Sequence, residues 1–174
     1  MTRILLVDGY NVIHAWPDLN GWKNEAGFGA ARDALIARLQ DYGGYVSMHV
    51  VVVFDAYRSG KRKQTVENRP GIDVVYTANG ETADHYIERV ADELKGKDCE
   101  LYVATSDALE QTIVLGRGAV RLSPRELAED IDRERLSHRK KRDPGIPTNA
   151  LMNRLDTRML ERLERLRRGG GGDE

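Results

Sequence analysis

Four short apolar runs constrain the fold of this chain more than any other feature: residues 4–7 (Ile-Leu-Leu-Val), 50–54 (Val-Val-Val-Val-Phe), 74–76 (Val-Val-Tyr) and 101–104 (Leu-Tyr-Val-Ala). Each has the length of a strand, and β-branched residues dominate the longest. None shows the polar alternation of a strand with one wet face, so helices are expected to cover both faces of the sheet they form. An α/β fold around a mainly parallel sheet follows.

Helical periodicity fills the intervals. Ala31, Leu35, Ala37, Leu39 and Tyr42 approximate one apolar face over residues 31–42, while Ile87, Val90, Ala91 and Leu94 oppose Glu88, Arg89, Asp92 and Glu93 over residues 83–94. A third helix is expected over 107–115, capped by Asp107 with Glu110 as reciprocal partner and closed by Gly116 and Gly118. Ser123-Pro124-Arg125-Glu126 combines a serine cap, a first-turn proline and a capping-box glutamate, and predicts a helix to about residue 138. Asp143-Pro144-Gly145-Ile146-Pro147 interrupts it. Thr148 then caps a segment in which Met152, Leu155, Met159, Leu163 and Leu166 recur at helical spacing. That last helix docks on its own domain or offers a partner surface. The expected organisation is a domain over 1–142, a helical extension over 143–168 and a disordered tail over 169–174.

With 174 residues, 40% of them apolar and 32% charged, the chain suits one sizeable core rather than two. No apolar run approaches the length of a membrane span, and a cytosolic protein is expected. Cys99 is the only cysteine and the four histidines lack zinc-ligand spacing, so neither a disulfide nor a zinc site is anticipated. The net charge of −1 hides an asymmetry: residues 1–130 carry 15 basic and 20 acidic groups, residues 131–168 carry 12 and 6. An acidic front disfavours a polyanion unless bound cations neutralise it, whereas the basic rear suits phosphate backbones.

In an open parallel sheet the ligand crevice lies beyond the carboxyl ends of the strands. Asp8 and Asp55 directly follow two of the apolar runs, Asp107 follows a third after two residues, and Asp84 opens the helix that follows residues 74–76. Taken singly, each has an ordinary explanation as a turn residue, strand end or helix cap. Together, on one sheet edge, they form a carboxylate cluster of the kind a hard divalent cation neutralises, Mg²⁺ or Mn²⁺ being the natural candidates. Such ions bind a phosphodiester oxygen and activate water, which points to phosphodiester hydrolysis. Asn11 and Glu81 are candidates to complete the site, and Thr105 and Ser106 to orient a carboxylate or phosphate, although local capping explains the latter pair equally well. Gly9 would permit close approach of the backbone.

These residues lie in motifs that resemble the YacP-like branch of the NYN domains, within the PIN-like nuclease superfamily. The resemblance rests on Leu5-Leu6-Val7-Asp8-Gly9-Tyr10-Asn11-Val12-Ile13 with Ala15-Trp16, on Phe54-Asp55-Ala56, on Glu81-Thr82-Ala83-Asp84, and on Ala104-Thr105-Ser106-Asp107. Gly116-Arg117-Gly118-Ala119 and Ser123-Pro124-Arg125-Glu126-Leu127 extend it to about residue 130. It implies a PIN-like three-layer sandwich and Mg²⁺- or Mn²⁺-dependent endoribonuclease activity, directed in one branch at mRNA on the ribosome. By motif, Asp8 and Asp84 look like the central catalytic and metal-binding positions, with Asp55 and Asp107 as acidic companions.

Arg58, Lys61, Arg62 and Lys63 follow Asp55 and suit a phosphate backbone, or else simply solvate a loop. Arg139-Lys140-Lys141-Arg142 admits the same two readings. Tyr10 and Tyr57 are candidates to stack unpaired bases, with core packing the stronger expectation for Trp16. A noncatalytic RNA- or ribosome-binding adaptor is the main alternative. A phosphoaspartate phosphatase of the haloacid-dehalogenase type would require a second aspartate where Tyr10 stands. A flavodoxin-like regulator has no motif behind it. The sequence is silent on oligomeric state.

Overall fold

In the computed structural model, which describes residues 1–56, 63–106 and 118–142, the first apolar run becomes β1 (Thr2–Asp8) at the middle of a six-stranded sheet. β2 (His49–Phe54) and β4 (Ile72–Tyr76) lie to one side, and β5 (Cys99–Ala104) and β6 (Val120–Leu122) to the other. These five strands are parallel, in register through pairs such as Val7 with Val52 and with Ala104. β3 (Thr65–Arg69) adds an antiparallel edge beside β4, turning back through Gly71 at φ 78°. The sheet order is β3-β4-β2-β1-β5-β6.

Alternate residues of the strands feed two separate cores, which is why the runs show no polar alternation. Leu5, Val7, Val50, Val52, Phe54 and Val74 pack on one face with Ile13, Leu35, Leu39 and Leu127. Leu6, Val53, Val75 and Val103 pack on the other with Ile87 and Ala91. The first layer is supplied by α1 (Gly9–Ala15), α2 (Pro17–Val46) and α4 (Pro124–Arg142), the second by α3 (Ala83–Leu94). Helix, sheet and helix make the expected three-layer sandwich. The unit so formed runs from Met1 to Arg135; the remainder of α4 belongs to a second unit and is described only as helix.

α3 matches its predicted bounds, with Thr82 Oγ1 accepting from the His85 N–H at 3.2 Å. The capping box of α4 is closed reciprocally: Glu126 N–H donates to Ser123 Oγ at 3.1 Å and Ser123 N–H to Glu126 Oε2 at 2.7 Å. That helix continues past residue 138 to Arg142. α2 is far longer than the predicted 31–42 and is broken at Gly27, whose φ of 85° lies in the left-handed region that favours glycine. Within it Ala31, Leu35, Leu39 and Tyr42 are buried as expected, whereas Ala37 is exposed and Ile36 is buried in its place. The predicted helices over 107–115 and after Thr148 lie outside the described residues. Among those described, no helix is long and apolar enough to cross a membrane.

Trp16, at the joint of α1 and α2, donates its indole N–H to the Pro124 carbonyl at 2.8 Å and ties that joint to α4. Gly9 has no room for a side chain: a Cβ there would stand 2.3 Å from the Phe54 ring. Because this contact seats α1 on β2, Gly9→Ala is expected to lower stability by about 1–3 kcal/mol through overpacking. Urea denaturation measures this, and a loss below about 0.5 kcal/mol, the range of ordinary surface changes, would contradict the packing role.

Candidate active site

β1 ends at Asp8, where the backbone is still extended (φ −74°, ψ 101°) and the helix starts without an intervening loop. The Asp8 side chain caps that helix, its Oδ1 accepting from the Asn11 N–H at 3.1 Å. The residue is only 9% exposed. Burial pushes its carboxyl up to about 7; the Asp84 charge and hydrogen bond and the Asp55 charge add to this, while the Asn11 N–H acts the other way. A carboxylate that serves only as a helix cap has no need of acidic neighbours.

Those neighbours arrive on separate elements. Asp55 directly follows β2 and Asp84 sits in the first turn of α3. With Asp8 they line a cleft of about 480 Å³, joined by Tyr10, Asn11, His14 and the α3 start. Hollows of about 470 and 570 Å³ lie elsewhere along α2 and α4. Acids there stand beside arginines, Asp18 with Arg38 and Asp130 with Arg133, so carboxylate chemistry rather than size singles out the first cleft.

The other predicted residues divide by position. Asn11 Oδ1 accepts from the Ser106 N–H at 2.9 Å, so it pins the segment after β5 to α1. Thr105 is fully buried, its N–H donating to the Leu122 carbonyl at 3.1 Å. Glu81 does not line the cleft; its Oε1 accepts from Arg89 at 2.9 Å. Tyr10 offers no open face for a base, which corrects the stacking expectation: it is 5% exposed, its ring edge-on to Phe28 and Phe54 and its hydroxyl accepting from Arg32 at 2.9 Å. Trp16 is core, as expected. Lys63 is exposed. Asp107, Tyr57, Arg58, Lys61 and Arg62 lie outside the described residues. Among those described, no three His, Cys, Asp or Glu side chains are grouped closely enough to hold a metal ion by themselves.

Sequence reasoning passed over Thr77. It is fully buried, and its hydroxyl accepts from the Ala56 N–H at 2.9 Å and donates to the Glu81 carbonyl at 2.7 Å. One side chain thereby ties the segment after Asp55 to the segment before Asp84. A threonine just past a strand carries no sequence signal for such a bridge, since its partners lie 21 residues before it and 4 after.

A three-layer sandwich with an acidic cleft at the carboxyl ends of its strands is the arrangement of a PIN-like nuclease domain. The model of the family described as YacP-like NYN domain matches residues 5–168, and this chain belongs to that family. The match extends well past residue 130, where the recognisable motifs stop. The chain is 40% identical over 168 residues to Uncharacterized protein YacP of Bacillus subtilis (strain 168), covering 95% of this chain and 97% of that one. Two crystal structures of Rae1 (YacP) from Bacillus subtilis are similar at 37% identity. A mutant form has a TM-score of 0.70, covering 87% of this chain and 89% of its own; the other has 0.67, covering 95% of each.

Two outcomes follow from this geometry. Thr77→Val removes the acceptor of the buried Ala56 N–H and the donor to the part-buried Glu81 carbonyl, so it should cost about 1–3 kcal/mol in urea denaturation, with Thr77→Ser keeping most of the stability; equal losses for both would show that the hydroxyl is not the cause. Asp8→Asn should stabilise the metal-free protein at pH 8. The folded carboxyl is raised above its unfolded value, so its favourable share is complete below about 3.8 and lost as pH rises through about 7. The gain should be on the order of 3 kcal/mol at pH 8 and shrink towards pH 5 in EDTA; a variant less stable than the parent at pH 8 would overturn this.

Proposed function

We propose that this protein is a divalent-metal-dependent endoribonuclease that hydrolyses phosphodiester bonds in single-stranded RNA. The observation that carries the reading is the meeting of Asp8, Asp55 and Asp84 from three elements in one cleft, with Asp8 so enclosed that it keeps its proton to about 7. Oxygen donors without histidine or cysteine ligands fit Mg²⁺ or Mn²⁺. Mg²⁺ is commonly held by one or two carboxylates with the remaining positions left to water and phosphate, so the lack of a closed three-ligand cage among the described residues accords with it. Asp8 and Asp84 would be the central holders, with Asp55 and Asp107 as companions. When bound, the ion supplies charge neutralisation, polarisation of the phosphodiester and activation of water.

The chain's own groups set the conditions for that chemistry. Burial, and after it the charges of Asp84 and Asp55, favours the protonated form of Asp8, and a cation held beside it would offset that and leave its oxygens as acceptors. Asn11 holds the segment leading to Asp107 against the first helix, and Thr77 holds the Asp55 and Asp84 segments together. Tyr57, Arg58, Lys61, Arg62 and Lys63 follow Asp55 closely enough in the chain to reach an RNA strand at the cleft. A substrate of mRNA on the ribosome, and a cytoplasmic location, follow from the resemblance to the ribosome-associated branch.

Purified protein incubated with labelled single-stranded RNA should cleave it in Mn²⁺ or Mg²⁺ and not in EDTA. The double variant Asp8→Asn, Asp84→Asn should lose more than about 100-fold in rate, past the range typical of residues that only support a metal ligand. Equal cleavage by the double variant would sink the proposed site. Metal-independent binding without cleavage, repeated with ribosome-bound RNA, would favour the adaptor reading instead.

A further inference from the structure

A polyanion approaching three aspartates is helped by a cation beside the same cleft, and the corner between α1 and α2 provides one next to a lining residue. His14, in the last turn of α1, lines the cleft. The Lys23 ammonium, on the first stretch of α2, donates to His14 Nδ1 at 3.1 Å. Lysine has no acceptor, so His14 Nδ1 takes this bond as the acceptor. The pair therefore places one full positive charge beside an otherwise acidic cleft.

The corner is held by Phe28. Its ring takes the Lys23 ammonium over its face at 5.7 Å, meets the His14 ring at 6.0 Å and meets the Tyr10 ring at 5.3 Å. Phe28 directly follows Gly27, whose left-handed backbone breaks α2, so the kink brings one aromatic ring under three residues from two helices. Just past the kink, Arg32 donates to the Tyr10 hydroxyl at 2.9 Å and adds a second cation beside a cleft-lining side chain. Many cations of this chain pair with exposed acids, as Arg38 does with Asp18 and Arg89 with Glu93, whereas the Lys23 ammonium stands beside His14 and over the Phe28 ring.

We propose that His14 and Lys23, seated on Phe28, form a phosphate-binding lip that takes the RNA backbone beside the bond to be cut. This rests on the reading of the cleft as a ribonuclease site. The lip contributes affinity rather than chemistry, because it holds a phosphate flanking the reacting one.

The test is binding of a fluorescently labelled single-stranded oligoribonucleotide to the full-length chain in EDTA, at several salt concentrations, beside cleavage kinetics in Mn²⁺. Lys23→Ala should weaken binding several-fold and reduce the slope of log affinity against log salt by about 0.7, the share of one phosphate contact on a single strand. KM should rise with kcat retained, and Lys23→Arg should restore most of the affinity. His14→Ala should also weaken binding, and its effect should not add fully to that of Lys23→Ala. Wild-type affinity and slope in Lys23→Ala would overturn the lip while leaving the nuclease reading intact, and so would a loss that keeps the full slope and is not rescued by arginine. Lys23-dependent binding in a protein that never cleaves would uphold the lip and overturn the nuclease reading. A wild-type chain with no affinity for RNA would overturn both.

Discussion

The burial of one carboxylate at the end of the central strand is the constraint on which the rest of this structure turns. Asp8 is fixed three times over: by the register of β1 between β2 and β5, by its cap on α1, and by the Gly9 backbone lying against the Phe54 ring. Each fixture is unremarkable alone. In combination they hold a charge-bearing group where water is scarce and two further aspartates are near, an arrangement that burial disfavours. The surrounding core must therefore keep it in place, and the two layers that bury Leu5, Leu6 and Val7 completely do so.

Polar bridges tie together the described segments around the cleft. Thr77 connects the ends of β2 and the start of α3, and Asn11 connects α1 to the end of β5. Where such a bond is buried, as between Thr77 and the Ala56 N–H, it matters mainly because of the unsatisfied group its loss leaves behind. Segments anchored in this way keep the carboxylates of Asp8, Asp55 and Asp84, from three parts of the chain, at a common edge. The chain separates rigid placement, done by strands and bridges, from chemistry, done by the side chains at their ends.

How much of this the sequence discloses depends on whether the cause is local. The buried strands and α3 are legible because Val50 to Phe54, or Ile87 with Ala91, carry their periodicity within a few residues. β3 is not, because Thr-Val-Glu-Asn-Arg is an edge strand paired on one side and mostly exposed, so it lacks an apolar signature. β6 is three residues long. α1 begins on a glycine and reads as a turn; the Asp8 cap starts the helix, and the Phe54 ring, distant in sequence, explains why the residue is glycine. The gathering of Asp8, Asp55 and Asp84 was inferable from strand ends alone, whereas the burial of Tyr10 and the bridge at Thr77 depend on contacts between distant segments that no short motif encodes.

The charge balance of the chain illustrates the same distinction. Residues 1–130 are acidic overall, which taken as an average argues against a polyanionic partner. Averages matter little at a cleft, because exposed charges farther apart than about 8 Å are largely screened at physiological ionic strength. What decides binding is which charges share the cleft wall. There the aspartates would be offset by a bound divalent ion, and the Lys23 ammonium stands 3.1 Å from a residue that lines the same space. On the proposed reading, attraction for a phosphate backbone and repulsion of it would stand side by side, and neutralising the carboxylates would remove the barrier to a strand held at the α1–α2 corner.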